Sequence, residues 1–454
     1  MLVHATKPLF AWDELQTSPT LGTIRQALEA IPDGPLLAAL RARRHRGCDT
    51  YPVRVLWGVL LLAILLRHHT AEACLEELRR NAPLRLLIGI ESEDAVPHGW
   101  NMTRFLAVLG RPEHLALIRD VFDHMVGRLG VAVPDLGRHT AGDSTGLRGR
   151  RDPNETRRAG EIADGLPQAS GGRKEYKDED GRVTKVVEWF GYKLHLLVDV
   201  RHEVVLGFDI TDTTAGDNER IEALVDQAER NRPAGRVETL AYDKAADDGK
   251  VHEMLHEHDI KPVIENRSCW PKDGDREKVI GGRVPLHVVH DEAGTVFCYD
   301  TTGAVPIRRA MSYAGHEKDR GTLKYRCPAK VEGFACGSEA KCNGGKSYGL
   351  TVRVDQEIDL RRFPSIPRAT PQFERRYKGR TAVERVNDRL KVLWGLDDGN
   401  VVGSRRFCAH VSAVLVVHLA CATRTEGSFG TLRLSPIARK LEELAASEKA
   451  AARA

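Results

Sequence analysis

The chain has few of the features that mark secreted and membrane proteins. Its 454 residues include nine cysteines, an odd number spread widely, which does not match the disulfide framework of a secreted domain. The longest uncharged apolar run, Val55 to Leu66, covers twelve residues, fewer than the roughly 18 that a membrane-spanning helix needs. The N-terminus shows no basic-then-apolar signal pattern. We therefore expect a cytoplasmic protein that does not contact a membrane.

Positive and negative charges are nearly balanced over the whole chain. The net charge is only +4, but the basic residues form three local clusters, which lie around Arg43, Arg44 and Arg46, around Arg148, and around Arg380. Such clusters in a near-neutral chain indicate a polyanion path over part of the surface. The alternative is ordinary solubility, because 29% of the residues are charged and some clustering is then expected.

A chain of this length predicts two or three modules. Its pattern changes along the sequence, from helical apolar spacing to a mixed α/β order, then to a Gly- and Pro-rich part with four cysteines, then to apolar helices and a tail. The corresponding ranges are 1–130, 131–267, 268–367, 368–425 and 426–454. We expect an α/β core that an inserted subdomain interrupts and that an all-helical N-terminal domain precedes.

The α/β part is predicted from alternating strand and helix patterns. The predicted strands are Thr140–Thr145, Glu188–Val200, Val204–Thr211, Val237–Tyr242 and Lys261–Glu265. Residues 147–185 are polar, charged and rich in glycine, which predicts a long flexible excursion. In the N-terminal part, Thr70 is a predicted N-cap.

One stretch near the C-terminal end, Arg376 to Lys391, has an unusual composition for a solvated helix. At about 100° per residue, four residues share one face: Tyr377, Arg380, Glu384 and Lys391. Four apolar residues form a buried stripe: Val383, Val386, Leu390 and Leu393. One carboxylate beside two cations and an aromatic ring suits a metal ligand next to a phosphate backbone. The alternative is a surface helix with ordinary i,i+4 charge pairs.

Two further carboxylates follow predicted strands. Asp143 and Asp243 both lie at strand ends, where a carboxylate from a helix, Glu384, can meet them. Such a set can hold two Mg²⁺ ions about 4 Å apart, and Mg²⁺ prefers oxygen ligands. Aspartates at strand ends also cap turns, but the three positions taken together favour a metal site.

These residues resemble the Tyr-x2-Arg-x3-Glu-x6-Lys signature of DDE insertion-sequence transposases, which the chain matches without a gap. Gly142–Thr145 resembles the first-aspartate segment of that family, Gly191–His195 its second-strand segment, and Ala241–Lys244 its second-aspartate segment. Tyr51–Phe105 looks like its N-terminal domain, and the resemblance covers roughly 45–425. One departure is Ala245-Ala246, where relatives often carry glycine or an aromatic residue.

The resemblance implies an RNase H-like mixed sheet flanked by helices. It implies Asp143, Asp243 and Glu384 as catalytic ligands of Mg²⁺ or Mn²⁺. It implies that the remaining signature residues contact transposon-end DNA: Tyr377, Arg380 and Lys391. The implied protein is a bacterial transposase that associates with the nucleoid when on DNA. It binds terminal inverted repeats, cleaves the ends, joins the 3′ ends to target DNA, and works as a homodimer in the synaptic complex.

Alternatives remain open at three points. A domesticated relative that binds DNA without mobilising it would carry the same motifs. His252 to His256 match the HExxH pattern of zinc proteases, but the sequence offers no convincing third ligand. Four cysteines of the insertion either hold structural Zn²⁺ or stay reduced and unliganded, because tight Cys-x2-Cys pairs are missing: Cys298, Cys327, Cys336 and Cys342.

The N-terminal basic cluster gives a first test. Replacing Arg43, Arg44 and Arg46 with alanine is expected to weaken binding of end DNA. It should also flatten the salt dependence by about 0.9 in log–log slope per lost phosphate contact, because each contact releases counterions. The measurement is the affinity for end DNA over a salt series. An unchanged slope and affinity would remove these arginines from the DNA footprint.

Overall fold

The structure is a computed structural model. It describes residues 19–44, 50–178, 182–231, 237–271, 273–343, 346–398 and 400–423. Arg46 and the predicted tail, 426–454, lie outside the described residues.

The N-terminal part is helical, as predicted. Its helices are α1 (Pro19–Glu29), α2 (Gly34–Arg44), α3 (Val53–Leu65), α4 (Ala71–Arg80), α5 (Ala82–Leu87), α6 (Gly99–Leu109) and α7 (Pro112–Ala132). The N-cap prediction is confirmed, because the Thr70 hydroxyl accepts a hydrogen bond from the Ala73 amide at 3.1 Å. Helix α3 is buried along nearly its whole length, which agrees with its uncharged apolar sequence.

A six-stranded mixed sheet follows. Its strands are β1 (His139–Arg148), β2 (Ser170–Lys177), β3 (Val183–Asp199), β4 (Val205–Thr211), β5 (Thr239–Tyr242) and β6 (Lys261–Ile264). Helices α8 (Glu155–Ala163), α9 (Ile221–Arg230) and α10 (Gly249–Glu257) lie between them in sequence. The order is β2-β3-β1-β5-β6, with β4 also paired to β3. Strands β1, β5 and β6 run parallel, and β3 is antiparallel to β1, β2 and β4.

The prediction of a flexible excursion at 147–185 is wrong for the described residues. Strand β1 continues to Arg148, α8 begins after Asn154, whose side chain accepts from the Arg157 amide at 2.9 Å, and β2 pairs with β3. The glycines of β2 contributed to the prediction of a flexible segment, but Gly172 has a packing reason. A Cβ there would lie 2.4 Å from the ring of Trp189 on β3.

The insertion forms two small sheets with a core separate from the main one. The first holds β7 (Lys278–Val279), β8 (Val288–His290), β9 (Val296–Asp300) and β10 (Ile307–Ala310), and the second holds β11 (Ser312–Glu317), β12 (Thr322–Arg326) and β13 (Thr351–Asp355). Two short helices, α11 (Pro328–Glu332) and α12 (Glu339–Asn343), lie between β12 and β13.

The signature stretch is not one continuous α-helix, so that expectation is wrong. Helix α13 (Pro371–Tyr377) and helix α14 (Thr381–Trp394) are separated by a 3₁₀ turn over Lys378–Arg380. The turn contains Gly379, where a Cβ would lie 2.7 Å from a methyl carbon of Val200. The close packing explains why position 379 is glycine. Glycine is a poor helix former, so the α-helix is interrupted here. The predicted stripe is buried at Val383, Val386 and Leu390.

The last described helix, α15 (Ser404–Ala422), packs against α3, α6 and α7 of the N-terminal part. One continuous core therefore joins the helical layer to the sheet. By length and composition, α15 is the one helix among the described residues that is apolar enough to cross a membrane, and 78% of its apolar window is buried. The core helix of a globular protein has the same properties, so this is weak evidence for a membrane span.

A buried carboxylate joins the two ends of the insertion to the core. Asp247, fully buried, accepts hydrogen bonds from His252 at 3.1 Å, Arg361 at 2.8 Å and Arg368 at 3.0 Å, and from the backbone amide of Arg267 at 2.8 Å. Burial alone would raise the pKa of Asp247, but these hydrogen bonds and charges outweigh it and lower the pKa.

Replacing Asp247 with alanine should destabilise the protein by on the order of 3–5 kcal/mol, because two largely buried guanidinium groups would lose their counter-charge. The measurement is the urea unfolding midpoint, together with protease cleavage within 268–367. The control is Asp319→Ala, which removes an exposed carboxylate of the insertion and should change neither. Equal effects of both replacements would contradict the anchoring role of Asp247.

Candidate active site

The register of two parallel strands places two aspartates side by side. Strands β1 and β5 pair Thr140 with Leu240 and Ala141 with Ala241, so Asp143 and Asp243 occupy matching positions two residues further on. Asp243 also caps the following 3₁₀ turn, since its Oδ1 accepts from the Ala245 amide at 2.9 Å. Asp243 therefore does cap a turn, as the alternative reading of the sequence had it. The cap fixes its side chain on the side of Asp143.

The residues before these aspartates pack tightly. The ring of Tyr242 lies against Gly142, where a Cβ would be 2.2 Å from a ring carbon. No side chain larger than hydrogen fits at position 142 without moving the ring. Asp243 directly follows β5, as predicted, but Asp143 lies in the middle of β1, so the prediction that it ends a strand is wrong. The glycine before Asp143 leaves room for the Tyr242 ring, so that the two carboxylates can lie at the same level.

The surroundings of Asp143 disfavour the ionised form of its carboxyl group. Its side chain is 17% exposed, and its pKa is raised from 3.8 to about 6, mainly by burial and also by the negative charge of Asp243. A hydrogen bond from Ser144 and the positive charges of Lys174 and Arg380 act in the opposite direction. A buried carboxylate beside a second carboxylate is a place where a cation would be strongly stabilised.

Arg380 connects the third carboxylate to the first. Its guanidinium donates to Glu384 Oε1 at 2.7 Å and lies 4.0 Å from an oxygen of Asp143. Glu384 is half exposed and lies in the first turn of α14. The sequence left open an ordinary i,i+4 ion pair. That pair forms, and the same guanidinium also lies near Asp143.

The two remaining signature residues hold the helices against the sheet at different points. The Tyr377 hydroxyl donates to Glu265 Oε2 at 3.1 Å, just after β6. The Lys391 ammonium donates to the carbonyl oxygen of Gly146 on β1 at 3.0 Å. Arg380 and Lys391 therefore both reach β1, whereas Tyr377 reaches the neighbouring edge of the parallel strands.

Known families match this chain over most of its length. The model of a transposase DDE domain matches residues 135–420, and that of a transposase domain, DUF772, matches residues 13–107. The chain belongs to the DDE transposase family. A search of curated proteins finds no match for this transposase. Membership explains the fold, a helical N-terminal part followed by a mixed sheet with helices, and makes DNA the partner and divalent metal ions the general cofactor of the family.

The carboxylates of the transposase have the donor chemistry that Mg²⁺ or Mn²⁺ needs, which is oxygen alone. Asp143 and Asp243 lie close enough for the charge of Asp243 to act on Asp143. Glu384 is held by Arg380, and within the described ranges no three His, Cys, Asp or Glu side chains converge closely enough to hold one ion. The assignment of the three carboxylates as metal ligands stays a prediction.

The four cysteines of the insertion come from separate elements: Cys298 on β9, Cys327 after β12, Cys336 in a loop and Cys342 on α12. The pKa of Cys298 is raised to about 12, mainly by burial and also by the other three thiols, so the four lie in one neighbourhood. Cys336 donates to Asp300 at 3.6 Å, and Cys342 lies 3.5 Å from His287. The thiols do not converge on one point, and the zinc site stays a prediction.

The HExxH match does not form a metal site. His252 is buried and bonded to Asp247, whereas His256, four residues on, is exposed. Burial lowers the pKa of His252, although its hydrogen bond to Asp247 raises it. The zinc-protease alternative therefore has no support in this structure.

Two of the predicted N-terminal DNA contacts, Arg43 and Arg44, end the second helix of the helical layer. Arg43 pairs with Glu113 at 3.2 Å, and Arg44 donates to the carbonyl oxygen of Tyr51 at 2.5 Å. Arg148 lies nearer the carboxylates than Arg43 and Arg44 do. Its positive charge lowers the pKa of Lys391, which binds β1. Its role in DNA binding stays a prediction, as do those of the two N-terminal arginines.

Sequence reasoning missed a polar network beside the aspartates. Lys193 on β3 lies 2.6 Å from Asp217, and the buried His195 lies 3.5 Å from the same carboxylate oxygen. The other ring nitrogen of His195 lies 2.9 Å from the Thr211 hydroxyl. Lys193 and His195 belong to the second-strand segment, so a signal existed for them, whereas Asp217 stands in a loop without a recognisable pattern.

The raised pKa of Asp143 predicts an effect on stability. The folded-state pKa is above the ordinary value, so charging the carboxyl costs the folded state free energy as the pH rises from 3.8 to about 6. Above that range, Asp143→Asn should stabilise the metal-free protein by on the order of 3 kcal/mol, with little effect at lower pH.

Thermal unfolding of the metal-free transposase at two pH values measures this effect. The control is Asp94→Asn, an exposed aspartate of the helical layer, which should shift neither melting temperature. If Asp143→Asn is less stable than the wild type at pH 8, the ionised carboxylate stabilises the folded state, and the raised pKa of Asp143 is refuted.

Proposed function

We propose that this transposase binds the terminal inverted repeats of its element, cleaves the transposon ends and transfers the 3′ ends to target DNA. The supporting observation is the pair Asp143 and Asp243 on adjacent parallel strands, faced by the helix that carries Glu384. Hydrolysis and strand transfer are both in-line attacks on phosphorus, so one set of carboxylates can serve both steps.

Each side chain has a proposed part in that chemistry. Asp143, Asp243 and Glu384 hold Mg²⁺ or Mn²⁺, which when bound supplies an activated water or 3′-hydroxyl and stabilises the leaving oxygen. Arg380 and Lys391 bind the phosphates on either side of the cleaved bond, since Arg and Lys are the usual phosphate partners. Tyr377 stacks on a base or donates its hydroxyl to a phosphate oxygen.

DNA binding is proposed to move Arg380 from Glu384 to a phosphate. Without DNA its guanidinium is held by Glu384 at 2.7 Å. A phosphate offers the guanidinium a second anion with the bidentate geometry that arginine prefers. Transfer of Arg380 to the phosphate frees Glu384 to join the aspartates, so that the carboxylate set is completed only when the substrate is bound.

Three further points of the proposal rest on the family and not on this geometry. The synaptic complex is a homodimer, because two transposon ends must be joined together. The protein is bacterial and cytoplasmic, and lies on the nucleoid when bound to DNA. The four thiols of the insertion either hold Zn²⁺ with a structural role or stay reduced and unliganded.

Glu384→Gln separates binding from chemistry. The replacement keeps the side-chain volume and leaves the buried stripe of α14 intact, so the fold should survive. Removal of an anion beside the DNA should leave end binding equal or slightly tighter. Nicking should fall by a factor of 10² or more, by the usual size of a lost charge-stabilising group. The measurement is metal-dependent nicking of a labelled inverted-repeat duplex, alongside gel-shift affinity.

Two variants make this test specific. Asp388→Asn removes the same charge one turn further along α14 and should nick normally. Arg380→Ala should weaken end binding and slow nicking mainly through lost positioning. Near-normal nicking by a folded Glu384→Gln variant would refute the assignment of this carboxylate.

A further inference from the structure

Strand β1 carries only small residues on the face that meets Tyr242. Alternate residues of a strand share a face, and on this face β1 carries Gly142, Ser144 and Gly146. The Tyr242 ring lies over Gly142, where a Cβ would be 2.2 Å from a ring carbon, and the Trp189 ring lies over Gly146, where that distance would be 2.4 Å. Ser144 therefore lies between two rings, and no large side chain of β1 fills the space between them.

A polar cluster on β3 borders this space. His195 is the cross-strand partner of Ser144, and such partners share a face. His195 Nδ1 lies 3.5 Å from Asp217 Oδ1, beyond the roughly 3.2 Å limit of an ordinary hydrogen bond from N–H to oxygen. The Lys193 ammonium lies 2.6 Å from the same oxygen, which holds the loop that carries Asp217 against β3.

The hydrogen bonds around His195 determine which of its ring nitrogens carries the proton. The pKa of His195 is lowered to about 4, mainly by burial, although the charge of Asp217 acts in the opposite direction, so the ring is neutral at pH 7. The Thr211 hydroxyl donates its one proton to the Asp212 carbonyl oxygen at 2.9 Å, so it accepts from His195 Nε2, 2.9 Å away. Nε2 therefore carries the proton, and Nδ1 is an acceptor that faces the Asp217 carboxylate, a second acceptor.

The Tyr242 hydroxyl is a donor on the same face of the sheet. Its oxygen and His195 Nδ1 are both buried, and neither has a hydrogen-bond partner among the described residues. The pKa of Tyr242 is raised, mainly by burial and also by three negative charges, of which Asp217 acts most strongly, ahead of Asp143 and Asp243. Buried tyrosine hydroxyls usually have a partner, and a donor near two facing acceptors indicates that one molecule joins all three.

We propose that one buried water joins these three groups and that Asp217 acts through it as a positioning residue for the two aspartates. The water accepts from the Tyr242 hydroxyl and donates its two protons to His195 Nδ1 and the Asp217 carboxylate, so each group gains the partner that its chemistry requires. About three hydrogen bonds are typical of a buried water. The held hydroxyl fixes the Tyr242 ring between the strands that carry the two aspartates. The positioning role rests on the proposed function, whereas the water does not.

Tyr242→Phe tests the water. Removing a buried hydroxyl that has no partner relieves the cost of its burial, so the melting temperature would rise or stay the same. A hydroxyl bonded to water stabilises the folded state. The variant is therefore expected to lower the melting temperature of the metal-free protein by roughly 1–3 °C. A melting temperature at or above that of the wild type would overturn the water and the positioning role.

The matched control is Tyr325→Phe in the insertion. The Tyr325 hydroxyl is also buried and without a partner among the described residues, but its pKa is raised by burial and by Tyr313, with no contribution from a carboxylate. This variant should melt at or above the wild-type temperature. An equal loss in both variants would overturn the water, since any buried hydroxyl would then give the effect.

A double-mutant cycle tests the bridge itself. The melting losses of Tyr242→Phe and Asp217→Ala should not add in the double variant, because each replacement removes a bond to the same water. Additive losses would overturn the bridge. If Asp217→Ala does not fold, the comparison of the two phenylalanine variants still decides the water.

The metal affinity of Tyr242→Phe tests the positioning role. The replacement changes no charge, so the electrostatic attraction for a cation is kept. Calorimetry on the DNA-free protein, far below its melting temperature, is expected to show several-fold weaker Mn²⁺ binding than in the wild type and in Tyr325→Phe. A merely structural role would lower the melting temperature and leave the Mn²⁺ affinity unchanged, and that result would overturn the positioning role.

The wild type separates this inference from the proposed function. If wild-type protein does not bind Mn²⁺, or if binding survives Asp143→Asn, the proposed function fails and the positioning role with it, while the melting comparison still decides the water. If the wild type binds Mn²⁺ through Asp143 and Tyr242→Phe equals it in both melting and affinity, the present inference alone fails.

Discussion

Two like charges forced side by side are the constraint on which the site depends. The parallel register of β1 and β5 leaves Asp143 and Asp243 at matching positions, and the ring of Tyr242 packs on Gly142 between the two strands. Burial and mutual repulsion raise the pKa of Asp143. Two unit charges at ~4 Å interact by about 4 kcal/mol at an effective dielectric constant of 20. The cations around the aspartates offset that cost in the absence of a metal ion, and a divalent ion would offset it more completely.

The surrounding structure holds those cations at fixed distances from the carboxylates. Helix α14 is anchored by a stripe of fully buried side chains, which determines where Arg380 and Lys391 project. The insertion returns to the core at Asp247, four residues after Asp243, through Arg361 and Arg368. About a hundred residues of chain therefore leave and re-enter at one buried carboxylate. The insertion can differ in size or shape without displacing the aspartates, because its ends are fixed independently of its interior.

Sequence reasoning was most successful where a pattern has a direct physical cause. Helical periodicity located the N-terminal helices, because the spacing of apolar residues reports burial. The end of β5 located Asp243, whereas Asp143 lies inside β1, whose polar continuation to Arg148 gave no strand signal. Sequence reasoning also failed for β2 and the first half of β3, where glycines that accommodate the Trp189 ring look the same as glycines of a flexible segment. It also missed the 3₁₀ turn at Lys378–Arg380, whose origin is the contact of Gly379 with Val200, far away in sequence. Asp217 had no local signal, since its partners lie on other elements.

The helical N-terminal part packs directly against the helices and loops that surround Glu384. Arg67, just after α3, donates to Asp398 at 2.9 Å and to the carbonyl oxygen of Val392 at 2.9 Å, and α15 runs through the helical layer. The surface around Arg43 therefore cannot move freely relative to the carboxylates.

A duplex that contacts both the N-terminal surface and the carboxylates must follow the path that this rigid body sets. At the N-terminal surface, the exchange of partners on DNA binding is inexpensive. Arg43 gives up only a partly exposed ion pair with Glu113, and such pairs contribute about 0–1 kcal/mol. At the carboxylates the exchange in the proposed mechanism is larger, since Arg380 would leave Glu384 and the aspartates would be neutralised. Under that proposal, the rigid body allows contacts that cost little to align the duplex before the more costly rearrangement at the proposed cleavage site.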